Sequence, residues 1–412
     1  MKYEILAPAG DKNKLETAIY YGADAVYMAG KRWGLRAFSD NFEQDELDKY
    51  ISLAHSLGKK CYITVNIQAH NDDFDGLSDY LLYLQKIGAD AIIVSDAGIM
   101  SLAKKVVPNL PIHLSTQASA SNKYAAKFWA DQGAKRIILA RELSIKEIKE
   151  IREFLPKDVE LEAFVHGAMC ISYSGRCLLS NYLAGRDSNR GQCVQACRWE
   201  YYITERSRAD KGEGELYQIQ QDKQGTYILN SKDLCMIDHL HELIDAGVTS
   251  FKIEGRMKSN YYVATVVNAY RRALDQLLKD KQAYLSDTTR QKELEKSSHR
   301  LFTTGFYFGS TEKEYLKTSY PVASSEFIAE VVEPTDKNGF TLVEMRNRFK
   351  VGDMLEILSP DQNFNKTFVV EEIKDNNGNT LADVKEVQQL VLLKTPFKLN
   401  KHDILRKDKK EK

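Results

Sequence analysis

No run of 18 apolar residues occurs in the chain, so no segment suits a membrane-crossing helix. Charge of one sign is lacking too: 58 basic side chains balance 58 acidic ones. That balance argues against a protein that coats nucleic acid indiscriminately, while leaving local basic patches open. The opening MKYEILAPAGDK sets Glu4, Pro8 and Asp11 where an export signal needs an apolar stretch, so a cytoplasmic location is expected. The hydrolase signatures H-E-x-x-H and G-x-S-x-G are absent, and no G-x-G-x-x-G turn follows the first apolar run. What remains is an ordinary globular composition, 43% hydrophobic over 412 residues, enough for two or three domains.

Short β-branched or apolar runs alternate with helix-period segments along the first two thirds of the chain. Strands are predicted at 3–8, 25–30, 60–67, 91–96, 111–115, 136–142, 160–166 and 250–254. Several intervening helices end in Gly before the next strand, at Gly22, Gly88, Gly133 and Gly247. Eight strands separated by helices are the arithmetic of an α/β, (β/α)8 TIM-like barrel, predicted here over 1–276. The step from strand seven to strand eight is anomalously long and marks an insertion over 167–249, on the side where barrel enzymes keep their active sites. Residues 277–325 read as a charged helical connector. From 326 to 412 short alternating strands broken by Asp-Lys-Asn-Gly and Asp-Asn-Asn-Gly turns predict a small all-β C-terminal domain, a β-barrel.

Five of the six cysteines, Cys170, Cys177, Cys193, Cys197 and Cys235, fall within 66 residues of that insertion. Cys61 stands alone in a predicted strand, as a core thiol would. Clustered thiols in a reducing compartment point to a metal site, either zinc or an iron–sulfur cluster. Only Cys193 and Cys197 form a close pair, so scattered ligands favour the cluster over a zinc knuckle, which usually brings two such pairs. Segment 176–198 carries four arginines, Arg176, Arg186, Arg190 and Arg198, against one acid, Asp187, with aromatic residues interleaved. Two readings stand side by side: contact with RNA phosphates and bases, or charge balance for a thiolate-ligated cluster.

Polar residues at the carboxyl ends of barrel strands are candidates by position. Asn66, Gln117, Arg141 and Lys258, with Arg36, Arg186, Arg190 and Arg198, are expected to contact substrate, and such an array suits a small carboxylic acid. His166, Glu254 and Arg256 are the catalytic candidates. An imidazole four residues before Cys170 is able to act as base, ligand or hydrogen-bond partner, and the pair also suggests a thiol-protease dyad.

The stretch EAFVHGAMCISYSGRCLLSNY, with Glu162, Phe164, Gly167, Ala168, Cys170, Gly175, Cys177 and Ser180 in register, closely resembles the signature of peptidase family U32, the collagenase-like proteins. LAPAGD, GLRAFSDNF, STQAS and FKIEGRMKS resemble that family as well, and the likeness spans nearly the whole chain. Within the family, GRCLLSNYLAGRDSNRGQCVQACRW is most similar to the branch that hydroxylates tRNA. That resemblance implies prephenate-dependent 5-hydroxylation of the wobble uridine, with a 4Fe-4S cluster on Cys170, Cys177, Cys193 and Cys235 and with Cys197 as the alternative ligand. It also leaves a collagenase-like peptidase as the rival, and a non-catalytic subunit working as a homo- or hetero-oligomer with another U32-like chain.

Overall fold

A computed structural model describes residues 3–35, 41–170, 172–199, 221–222, 225–226, 232–309 and 321–409. Strands β1 (Glu4–Pro8), β2 (Ala25–Met28), β3 (Lys60–Val65), β4 (Ala91–Val94), β5 (Ile112–Leu114), β6 (Ala134–Ile138) and β7 (Glu160–Ala168) pair in parallel in sequence order. The short β8 (Asp233–Cys235) lies antiparallel on the end of β7, with Cys235 opposite His166. Strand β9 (Ser250–Ile253) pairs in parallel with both β7 and β1 and closes the barrel. Nearly every residue of these strands is buried, as expected where helices cover the outer face and side chains fill the inner one.

Helices α1 (Lys12–Tyr20), α2 (Gln44–Ser56), α3 (Leu77–Lys86), α4 (Ala97–Val106), α5 (Lys123–Asp131) and α6 (Ile145–Phe154) follow the first six strands. Their starts are fixed by side chains that accept from the first-turn amides: Asp11 from Lys14, Asp96 from Ile99, Asn122 from Ala125 and Ser144 from Glu147. Each capped end is the one reached from the carboxyl end of a strand, so the helix amino termini ring the barrel mouth. The glycines predicted to end helices, Gly22, Gly88, Gly133 and Gly247, all take positive φ.

The predicted insertion is shorter than its sequence gap. Within 167–249 lie α7 (Leu179–Ala184), strand β8 and α8 (Leu240–Asp245), and α8 fills the place of the seventh barrel helix before β9. At six residues that helix is too short to show a clear period in the sequence, although Leu240 and Leu243 are buried. The last barrel helix, α9 (Asn260–Lys279), runs three residues past the predicted boundary at 276. The connector also contributes a short strand, Phe302–Thr303, that pairs with β8.

In the amino-terminal half of the barrel interior sits a closed ionic group. Arg136 Nη1 donates to Glu4 Oε1 at 2.7 Å and to Glu162 Oε2 at 3.0 Å. Lys252 Nζ donates to Glu162 Oε1 at 2.9 Å, and the Tyr62 hydroxyl to Glu4 Oε2 at 2.7 Å. Burial works against the Glu4 carboxylate, but Arg136 beside it holds its pKa below the usual range.

The C-terminal region is an antiparallel sheet of eight strands. Ser325–Glu333 and Phe340–Met345 are central, and Thr367–Val369 and Thr380–Leu381 form its edges among the described residues. The expected small barrel thus takes the form of an open, curved sheet around its own apolar core of Ile328, Val343, Phe349, Leu355 and Val391. It packs on α1 and α9. The Tyr21 hydroxyl donates to the Leu358 carbonyl at 2.8 Å, Tyr20 to Asp403 Oδ1 at 2.8 Å, and Arg272 to the Asp361 carbonyl at 3.0 Å.

Candidate functional site

Beyond the carboxyl ends of β6, β7 and β9 lies a cavity of about 320 Å³. Cys170, Cys177, Cys193 and Cys197 line it together with Gln117, Arg141, Glu254, Lys258 and Arg300. The chain that follows β7 turns back over the barrel mouth to bring the thiols there. The turn is held at two points. Ser174 donates its amide to Glu142 Oε1 at 2.8 Å, tying the loop to the end of β6. Gly175, at φ +73°, is pressed so closely on the Gln117 backbone that a Cβ there would sit 2.1 Å from the Gln117 carbonyl oxygen. Only glycine tolerates both that conformation and that approach.

Donors are directed at the cysteines. The Ser188 hydroxyl and the Asn189 amide donate to the Cys177 carbonyl at 2.8 and 2.9 Å. The Gln195 amide lies 3.4 Å and the Ser180 hydroxyl 3.8 Å from Cys193 Sγ. Burial disfavours the Cys177 thiolate, yet hydrogen bonds from Ser172, Ser188 and the backbone amides of Leu179 and Ser180 outweigh it and hold the thiol below its ordinary pKa. Such N–H and O–H donation is what thiolate ligands of a metal group require. Among the described residues, no three His, Cys, Asp or Glu side chains converge on a single-ion site.

Cys235 is separate from this wall. It is buried on β8, with the Tyr270 hydroxyl 4.0 Å from its sulfur, and burial pushes its thiol up to about 12. Its strand partner His166 is 2% exposed, packed among the rings of Tyr262, Tyr270 and Phe302, with Nδ1 3.4 Å from the Tyr270 hydroxyl. Burial lowers its pKa to about 3. No hydrogen bond joins His166 to Cys170 among the described residues, and His166 does not line the cavity that Cys170 faces. The dyad suggested by their spacing is not assembled.

The remaining candidates divide. Arg141 faces the cavity while donating to the Ala168 carbonyl at 2.9 Å, and Lys258 faces it with its ammonium 5.0 Å from the Tyr262 ring. Glu254 is its one carboxylate among the described lining residues. Arg256 is buried away from the cavity and donates to Asn41 Oδ1. Arg190 is held by Asp73 through two hydrogen bonds, at 2.7 and 3.1 Å, so its charge is already matched. Arg186 is half-buried near the end of α7. Arg198 closes a single turn at Ala196–Arg198, and Arg36 lies outside the described residues.

Asn66 and Gln117 line a second cavity of about 290 Å³ with Ser95, Asp96, Trp129 and Arg176, which shares Gln117, Gly175 and Asn189 with the first. Asn66 bridges the Leu35 amide and Ser115 Oγ, at 3.2 Å each. Arg300 and Trp129 are not legible as site residues in the sequence. Arg300 belongs to the predicted connector, and Trp129 sits on an amphipathic helix where an aromatic residue reads as core.

A thiol-lined, cation-rimmed cavity at the carboxyl end of a closed (β/α)8 barrel is the site of a barrel enzyme. The chain belongs to peptidase family U32: residues 10–317 match that family and residues 323–406 match the peptidase family U32 C-terminal domain. It is 40% identical to the tRNA hydroxylation protein P1 of Bacillus subtilis, over 99% of this chain and 95% of that one. It is 39% identical to the tRNA hydroxylation protein P of Escherichia coli, over 92% and 91% of the two chains. With the 23S rRNA 5-hydroxycytidine C2501 synthase of Escherichia coli it shares 36% identity over 77% of this chain and 44% of that protein.

Proposed function

We propose that this protein is a tRNA hydroxylase that modifies carbon 5 of the wobble uridine, with prephenate as co-substrate and a 4Fe-4S cluster as resident cofactor. The observation that carries the reading is the mouth cavity, which gathers thiols and three cationic side chains in one space. The names of the relatives, with tRNA and rRNA hydroxylation among them, support the substrate class.

The thiols of the cavity wall, and the donors directed at Cys193, support that cofactor. Cys170, Cys177 and Cys193 would hold it, with Cys235 on β8 as the fourth ligand and Cys197 on the cavity wall as the alternative. When bound, such a cluster supplies one-electron chemistry tuned by hydrogen bonds to its sulfurs. The chain's own groups do the rest. Arg141 and Lys258 offer positive charge for a dicarboxylate such as prephenate, beside Arg300, which is paired with Asp233 at 3.7 Å, and the Arg guanidinium matches a carboxylate through two parallel hydrogen bonds. Glu254, the one carboxylate among the described lining residues of that cavity, is the candidate base for the hydrogen that carbon 5 loses as a proton. The imidazole that a thiol-protease dyad would use, His166, is enclosed by three aromatic rings.

The test is twofold. Anaerobically purified protein should carry about four irons and four acid-labile sulfides, the content of a cluster held by four thiolates. In cells whose own copy is deleted, Cys170→Ala or Cys193→Ala should abolish hydroxylated uridine in tRNA by nucleoside mass spectrometry, while wild-type chain restores it. Hydroxylation that persists in both variants would remove the thiols from the mechanism.

A further inference from the structure

Neighbouring helices of the barrel usually touch, and α3 packs on α4 as α5 does on α6. Between α4 and α5 there is instead a cleft of about 410 Å³. Its charged lining residues are Lys104 and Lys105, both exposed, with no carboxylate on the described walls. Its aromatic wall is Phe128, 55% exposed, and Trp129, whose rings meet edge to face at 5.4 Å. Cations in the last turn of α4 also favour its dipole, but that does not account for an open aromatic wall opposite them. The cleft adjoins the site: Trp129 and Ala97 line both it and the second mouth cavity, where Gln117 and Arg176 stand.

Ammonium groups opposite the exposed Phe128 ring, with half-buried Trp129 beside it, are what a single-stranded nucleic acid needs: phosphates on the cations and bases on the aromatic faces. We propose that this cleft is the RNA track. The strand adjoining the target nucleotide lies between α4 and α5, backbone on Lys104 and Lys105 and bases against Phe128 and Trp129, and the target base passes the second cavity to reach the thiol-lined one at Gln117, which lines both. This rests on the tRNA reading above. It also shifts the RNA-binding surface away from Arg190, which Asp73 already neutralises.

The experiment is equilibrium binding of an unmodified tRNA transcript to the full chain, purified anaerobically, over a series of salt concentrations. Lys104→Glu with Lys105→Glu should weaken binding by at least about tenfold near 0.15 M salt and reduce the slope of log affinity on log salt by roughly 2, one unit for each phosphate left without its lysine. Trp129→Ala should cost roughly tenfold with the slope unchanged, because stacking carries no counterion release. Wild-type affinity and slope in the lysine variant would overturn the track. So would unchanged tRNA affinity with dissociation of a dimer in light scattering, which would make the cleft an interface between two copies. Wild-type chain that binds no tRNA would instead defeat the tRNA reading itself, and the track with it.

Discussion

Arg136 and Arg141 stand five residues apart on and after one strand, and the barrel uses them in opposite ways. Arg136 is enclosed: three carboxylates, buried Glu4 and Glu162 and half-exposed Glu160, take its donors, Lys252 adds a second cation, and Tyr62 and Ser250 complete the group. Arg141 spends one donor on the Ala168 carbonyl and turns its face to a cavity shared with Lys258 and Glu254, where the third cation, Arg300, is paired with Asp233. Charge balanced within the protein maintains the fold, whereas a surplus facing a cavity suits an anion from outside. Strand position alone does not separate the two cases, but the count of opposing groups does.

Arg136→Met tests that contrast most severely. Glu4 and Glu162 would stay buried with part of their compensation gone, and roughly 3–5 kcal/mol of stability should disappear in denaturant titrations. Arg141→Met should cost about 1 kcal/mol, one hydrogen bond, while raising the KM for the acid co-substrate. Equal destabilisation in the two variants would erase the distinction. A finer probe is Gly175→Ala, which forces a left-handed non-glycine residue against the Gln117 carbonyl. It should cost roughly 1–3 kcal/mol and lower iron content, because it displaces the thiol loop. Unchanged iron loading would mean that the loop adapts without moving its cysteines.

The smallest effect concerns His113, buried between Tyr62 and the ionic group, whose pKa burial and nearby Arg136 push well below the ordinary value. The unfolded chain takes up a proton on this imidazole below about pH 6.5 while the folded chain does not, so its contribution is constant above that pH and turns destabilising as pH falls. Wild-type stability should therefore decline below pH 6.5 with a component of up to about 1.4 kcal/mol per pH unit from this one side chain. His113→Gln should flatten that decline, and an identical pH profile would show that the imidazole titrates alike in the folded and unfolded chains.

The barrel is readable in the sequence because buried parallel strands need near-continuous apolar runs, and AIIVSD or RIILARE leave no other role for themselves. The thiol site is readable because cysteines cluster only where chemistry holds them. What stays hidden depends on pairing across distance. Nothing near Arg190 announces Asp73, 117 residues away, and nothing around Arg300 distinguishes it from the charged helix before it. The gap between α4 and α5 is equally invisible, since both helices carry an ordinary amphipathic stripe and the space belongs to neither sequence. His166 misleads for a related reason: closeness to Cys170 along the chain says nothing of the three rings that fold around it.

The C-terminal sheet bears on the barrel in one further respect. A closed barrel has a seam, here the pairing of β1 with β9, the first and last strands to be made. The sheet sits on α1 and α9, the helices that follow those two strands, and grips both through backbone carbonyls and Asp403. It acts as a buckle across the join. The two ends of the cylinder, far apart along the chain, are thus bridged by one sheet that touches the helix beside each of them.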